Sequence, residues 1–255
     1  MTGGSGASMG RGGSVRAAVN TAAAFVVCWL CLAAGPSRAA DDDELRYLLF
    51  SGRDIWRNGA FAHGGLLVAP GGLDHDGFLL KLMLSAGVYR YNTGNVDTGQ
   101  VYGFETTIQI LPGWRIKRGD LEAKFFFGPD IEQHKLRPDD PSNSLRGHAF
   151  GLRMAAEFWY EPSLTTMAAL DASLSTVTSS HSARAAYGWR VLDNQFYFGP
   201  EIAVIGSDGY RHLRLGGHMT SLKIDNYEWS AAGGWARDSE RRSSPYVRLG
   251  LLQRL

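Results

Sequence analysis

Cysteine is almost absent from this sequence: among 255 residues only Cys28 and Cys31 carry a thiol. That excludes a disulfide-stapled scaffold and the Cys-rich zinc modules. An excess of charge of either sign is missing too, with 26 Lys and Arg against 25 Asp and Glu, so the electrostatic footprint of a nucleic-acid binder is not there. Beyond residue 45 no segment stays apolar for the roughly 18 residues that would suggest a spanning helix. Helical periodicity is equally scarce. Yet 44% of the chain is apolar and 11% aromatic, which excludes a disordered polymer. What is there is a glycine-rich chain long enough for one large domain, folding without cross-links and without long helices.

The amino terminus reads as an address. Arg11 and Arg16 precede an apolar run over residues 17–34, followed by Gly35-Pro36-Ser37-Arg38-Ala39. A basic region, a hydrophobic region and small residues at Ser37 and Ala39 make residues 1–39 a secretory signal peptide. The apolar run is short and alanine-rich for a membrane anchor, and no cysteine stands at the cleavage site for lipid attachment. Cleavage removes both cysteines and three of the 26 basic residues, leaving 23 against 25 acidic ones in a single domain over residues 40–255. An exported domain without disulfides must be stabilised by packing and backbone pairing.

After residue 45, period-two alternation is nearly continuous. Phe78, Leu80, Leu82, Leu84, Ala86 and Val88 oppose Lys81, Met83, Ser85, Gly87 and Tyr89. Similar runs begin at Tyr102, Leu121, Phe150, Ala168, Ala183, Leu213 and Val247. Turn signals separate them, among them Pro70-Gly71-Gly72, Asn92-Thr93-Gly94-Asn95, Pro112-Gly113, Glu161-Pro162, Asp193-Asn194 and Asp225-Asn226. The pattern predicts about twelve strands of roughly ten to fourteen residues, long against the usual five or six. Tilted strands of that length suit a hydrocarbon layer.

Alternation leaves open whether the apolar face points in, as in a soluble sandwich or lipocalin-like barrel, or out toward lipid. The polar face favours lipid outside, because it mixes Gly, Ser and Ala with Glu105, Glu122, Lys124, Arg153, Glu157, Asp171, Arg184, Glu201, Arg214 and His218. Small residues with opposite charges fit a crowded lumen. Aromatics near strand ends (Trp56, Tyr89, Tyr91, Trp114, Trp159, Tyr160, Trp189, Tyr227, Trp229, Tyr246) fit interfacial girdles. The expected fold is an all-β, antiparallel, up-and-down transmembrane β-barrel of the outer-membrane type, in contact with outer-membrane lipid. The final residue, Leu255, departs from the aromatic carboxy-terminal assembly signal of such barrels.

Two segments echo each other: Phe125-Phe126-Phe127-Gly128-Pro129-Asp130-Ile131 and Phe196-Tyr197-Phe198-Gly199-Pro200-Glu201-Ile202. Proline removes a ladder donor, so both sites are expected to be bulges, edges or strand ends. The run Phe50-Ser51-Gly52-Arg53 with Gly64-Gly65, the Phe198-Gly199-Pro200-Glu201 segment, and Tyr210 through His218 with Arg214 and Gly216, followed by Trp229 and Pro245-Tyr246-Val247-Arg248-Leu249-Gly250, resemble the cellulose biosynthesis protein BcsS family. The resemblance spans most of the mature chain. It implies an accessory protein of bacterial cellulose production, with the glucan chain and other cellulose-synthesis components as partners, and it brings no catalytic residues to carry over.

The chemistry-bearing residues yield no enzyme signature. The seven histidines form neither HExxH nor another metal-ligand spacing, and Gly-x-Ser-x-Gly is absent. Asp74-His75-Asp76 reads as a solvated turn. Glu105, Glu122, Glu157, Asp171 and Glu201 could supply the two carboxyl groups of glycoside cleavage. On a face that also carries Lys124, Arg153, Arg184 and Arg214, mutual neutralisation is the better reading. Tyr89, Tyr91, Tyr102, Trp159, Tyr197, Tyr210 and Tyr227 offer faces for sugar rings. The expectation is thus a non-catalytic outer-membrane accessory protein without cofactor or metal, supporting assembly, docking or export of glucan. A porin-like conduit for glucan or small solutes and an outer-membrane hydrolase acting on glycan or lipid are the alternatives.

Overall fold

A computed structural model describes residues 45–143 and 145–255; the expected signal peptide lies outside the described residues. Twelve strands follow one another: β1 (Tyr47–Trp56), β2 (Gly59–Val68), β3 (Gly77–Asn92), β4 (Gln100–Arg118), β5 (Leu121–Arg137), β6 (Gly147–Ser163), β7 (Thr166–Ser175), β8 (His181–Val191), β9 (Phe196–Ser207), β10 (Tyr210–Ile224), β11 (Tyr227–Asp238) and β12 (Ser243–Arg254). Each pairs antiparallel with its sequence neighbours, and β1 closes on β12 from Leu48↔Arg254 to Trp56↔Tyr246. The result is the up-and-down barrel expected, with no free sheet edge among the described strands. No helix of the described residues is long and apolar enough to cross a membrane.

Both ends of the strand series, Tyr47 and Arg254, lie at one end of the barrel, here the terminal end, with the connections at residues 69–76, 119–120, 164–165, 192–195 and 225–226. The distal end carries the connections at 57–58, 93–99, 176–180, 208–209 and 239–242 and the segment between β5 and β6.

The strands are longer than expected on one side, with 16 residues in β3, 19 in β4 and 17 in both β5 and β6. Two expected turns explain the difference. Pro112-Gly113 lies inside β4, where register is unchanged between Gln109↔Asp130 and Gly113↔Phe126. Glu161-Pro162 lies inside β6 as an irregularity between Tyr160 and Ser163, and the chain reverses only afterwards. A proline facing outward from a barrel loses one ladder bond without turning the chain.

The apolar faces point outward. Leu82, Leu84, Ile108, Ile110, Phe127 and Leu170 are all exposed on the barrel exterior, and Phe150 is 73% exposed. Their strand neighbours Thr107, Gln109, Asp130 and Glu132 are buried in the interior. A sheet with its polar alternation inside and its apolar alternation outside is built for lipid. The girdle expectation is half corrected. Trp114, Tyr160, Trp189 and Trp229 are exposed outside near the terminal end, whereas Trp56, Tyr89, Tyr91, Trp159 and Tyr246 point into the lumen. Parity forces this, since Trp159 and Tyr160 are adjacent and cannot share a face.

Candidate functional site

The two Gly-Pro-acid echoes occupy corresponding places, mid-strand in β5 and β9, and neither is a register bulge or a strand end as expected. Pairing lapses over them while register is kept: β8 and β9 pair at Ala186↔Glu201 and again at Trp189↔Phe198. A Cβ on Gly199 would stand 2.0 Å from the Tyr187 carbonyl oxygen, and one on Gly128 would stand 2.2 Å from that of Ile110. Only glycine lets the neighbouring backbone come so close. Pro200 has no N–H to offer that region of β8, and the Tyr187 carbonyl accepts instead from His218 Nε2 at 3.1 Å. A carbonyl can only accept, so Nε2 carries the proton and Nδ1 accepts from the Thr220 hydroxyl at 2.9 Å. His218 is therefore a structural patch over a missing ladder donor.

The acid after each proline points inward and anchors a charge network. Asp130, 0% exposed, receives Arg153 Nε at 2.9 Å and the Ser175 hydroxyl at 2.6 Å. Glu201, 3% exposed, receives Arg184 Nε at 2.6 Å and Arg248 Nη2 at 2.5 Å, while Arg184 Nη1 reaches Asp171 at 2.7 Å. A third group joins Lys81 to Glu157 at 2.5 Å and Lys124 to Glu122 at 2.6 Å, with Lys124 and Glu157 3.8 Å apart. A fourth holds Arg214 against Asp54 at 2.7 Å, between the rings of Trp56 and Tyr246 at 5.1 and 5.0 Å. Charges taken out of water need such partners.

On the side of β2 to β5 the terminal end of the lumen is filled by apolar side chains. Leu67, Leu79, Leu111 and Phe126 project inward from four consecutive strands and pack with Ala69 and Leu73 of the 69–76 connection. Arg115, buried on the inner face of β4, ties that connection down by donating to the carbonyls of Gly72 and Leu73 and, at 2.7 Å, to that of His75. The Asp74-His75-Asp76 turn is exposed, as expected. Hydrogen bonds from Lys117 to Asp74 and from Arg118 to Asp76 hold both carboxyls below their ordinary range.

Beyond the networks the lumen opens into a cavity of about 610 Å³ whose lining comes entirely from distal strand halves and distal connections. Trp56, Tyr89, Tyr91 and Tyr210 form part of its wall, and Glu105, Glu132, His134, Arg153 and Arg214 are among its polar lining groups. Tyr91 donates to Asp140 at 2.9 Å and accepts from Asn143 at 2.7 Å, which fixes its ring beneath the distal rim. The distal half of the barrel interior is thus a cup, and apolar packing fills the β2–β5 side of the terminal half.

The expected lumen residues all lie inside, but they do not form one cluster. Glu122, Lys124 and Glu157 sit together. Asp171, Arg184 and Glu201 form another group, with His218 nearby, and Arg153 and Arg214 serve separate networks. Of the five carboxylates considered for glycoside cleavage, Glu122, Glu157, Asp171 and Glu201 are ion-paired, and Glu105 alone lines the cup. Among the candidate sugar platforms, Tyr89, Tyr91 and Tyr210 line the cup, Tyr102 faces outward, and Trp159 and Tyr197 pack on each other at 5.9 Å. Sequence reasoning missed Asp54, Glu132 and His134. The Glu-x-His spacing of Glu132 and His134 was a readable sign of two side chains on one strand face. Their meeting with Glu105 depends on the β4–β5 register, which sets Glu105 opposite His134.

Solved structures that resemble this chain are outer-membrane barrels. An outer membrane channel from Pseudomonas putida F1 aligns with a TM-score of 0.53 at 10% identity, over 87% of this chain and 99% of that one. The translocator domain of the autotransporter NalP from Neisseria meningitidis aligns with a TM-score of 0.49 at 13% identity, over 92% and 98% of the two chains. The KdgM porin, solved in complex with disordered oligogalacturonate, aligns with a TM-score of 0.43 at 8% identity, over 81% and 98%. At these identities the likeness is one of fold. No curated protein matches the sequence. The sequence model for the cellulose biosynthesis protein BcsS matches residues 48–255, so nearly the whole described barrel is accounted for, and the chain belongs to the BcsS family.

Proposed function

We propose that this protein is a non-catalytic outer-membrane accessory of cellulose biosynthesis that docks a glucan segment in its distal cup. The observation that carries the reading is the one-ended lumen: an apolar seal, ionic cross-links above it, and an aromatic-walled cavity of about 610 Å³ at the open end. That volume is in the range of specific small-ligand sites, and aromatic faces beside charged and amide groups are what a sugar ring requires. Outer-membrane barrels place short turns in the periplasm and longer loops outside. On that rule the cup opens to the cell exterior, where an emerging glucan passes. Export by cleavage of residues 1–39 delivers the domain there.

Ion pairing of Glu122, Glu157, Asp171 and Glu201 supports the non-catalytic reading, because a paired, cross-linked carboxylate is a poor general acid or nucleophile. The test is a calorimetric titration of the refolded barrel with cellohexaose. Saturable binding that Trp56→Ala and Tyr91→Ala weaken about tenfold or more supports docking. Absence of binding in the native barrel overturns it, as does release of shorter glucans from the oligosaccharide.

A further inference from the structure

We infer that the cup holds a divalent transition-metal ion, of the zinc or manganese class, on Glu105, Glu132 and His134. One prospective ligand atom from each of these residues lies within 4.8 Å of the other two. All three side chains line the cup, and Glu132 and His134 are buried at 4% exposure each. One imidazole nitrogen and two carboxylate oxygens form a donor set that suits a borderline divalent cation and leaves positions open to water. The strands supply it rigidly: Glu132 and His134 share the inner face of β5, and Glu105 stands directly opposite His134 on β4. His134 Nε2 lies 3.1 Å from Glu132 Oε2, and His134 Nδ1 lies 3.1 Å from the Tyr89 hydroxyl. An oxygen on the far ring nitrogen is the usual support of a metal-bound histidine.

A second observation is independent of that geometry. Asp130, fully buried two residues before Glu132 on the same face, keeps its Oδ1 without a partner. Asp130 and Glu132 share one guanidinium, that of Arg153, which lies 2.8 Å from Asp130 and 3.6 Å from Glu132, and Glu105 adds a third carboxylate beside His134. Glu105 is bonded to the Thr107 hydroxyl at 3.1 Å and stands 4.0 Å from His134. Groups so far removed from water call for balanced charge. The three carboxylates and one guanidinium carry two formal negative charges, which a dication offsets.

The site needs no glucan and stands or falls separately from the docking proposal. Its test is calorimetric titration of the chelator-stripped, refolded barrel with Zn²⁺ and with Mn²⁺, alongside Glu105→Gln, Glu132→Gln and His134→Gln. One ion per chain in the native protein, weakened at least about tenfold by each substitution and unchanged by Glu122→Gln, supports the site. X-ray absorption of the zinc-loaded native barrel provides a readout that does not depend on the variants folding, with a single imidazole in an otherwise oxygen shell expected. No stoichiometric ion in the native barrel, a shell without imidazole, or affinity unchanged in all three folded variants overturns the proposal.

Discussion

At the scale of single residues, the barrel depends on glycines that admit a neighbour's backbone and on carboxylates that collect arginines. Gly216 and Gly217 separate these demands cleanly. A Cβ on Gly216 would meet the Gly233 carbonyl oxygen at 2.2 Å, whereas one on Gly217 would meet its nearest neighbour at an ordinary 3.5 Å. Gly216→Ala is expected to destabilise the refolded barrel by about 1–3 kcal/mol or more, and Gly217→Ala by less than about 1 kcal/mol, read from urea midpoints. Glu201→Ala leaves Arg184 and Arg248 without the carboxylate they share; a loss of about 3–5 kcal/mol is expected from the same measurement. A loss no larger than that of Gly217→Ala would show that the two guanidiniums find water or Asp171 instead. This part of the site was legible: Phe198-Gly199-Pro200-Glu201 stands out in the sequence, and alternation alone puts Glu201 inside. That Arg248 would reach it was not legible, because β12 comes beside β9 only across the lumen.

At the scale of elements, the least legible feature is the seal. Pro70-Gly71-Gly72 reads as a turn and Asp74-His75-Asp76 as a solvated one, and the second is exposed; Leu73 between them is nevertheless buried with Leu79 and Leu111. No periodicity marks one apolar residue in a loop, and Arg115 binds that loop through backbone carbonyls, which leave no trace in side-chain identity. The seal also has a pH dependence. Asp74 and Asp76 have their carboxyls lowered below the reference value of 3.8 by hydrogen bonds from Lys117 and Arg118. Groups with lowered folded values contribute stability that is present above 3.8 and lost as pH falls below it through the folded values. Deuterium uptake of residues 69–76, corrected for intrinsic exchange, should therefore be the same at pH 7 and pH 5 and rise below pH 3.8. Uptake that rises between pH 7 and pH 5 would assign the anchoring to other groups. The strand series was legible because each strand is half wet and half oily, and the overlong β4 was not, because Pro112-Gly113 carries a turn's composition without a turn's geometry.

At the scale of the molecule, the same alternation that identified strands also identified the solvent, since the interior is too charged for a soluble core and the exterior too apolar for water. A closed barrel of this kind should migrate faster unheated than boiled on a detergent gel, and equal mobility would contradict a stable closed sheet. Inside, Leu67, Leu79, Leu111, Phe126 and Leu73 pack at one end, and the Glu201 and Glu157 networks span the strands above them. On the docking proposal, such a barrel presents a site to one side of the membrane and offers no through path. Ion conductance of the refolded protein in a planar lipid bilayer tests this most directly. Insertion without resolvable current steps is the result expected of a sealed cup, and stable ohmic steps of a porin from the intact protein would contradict it.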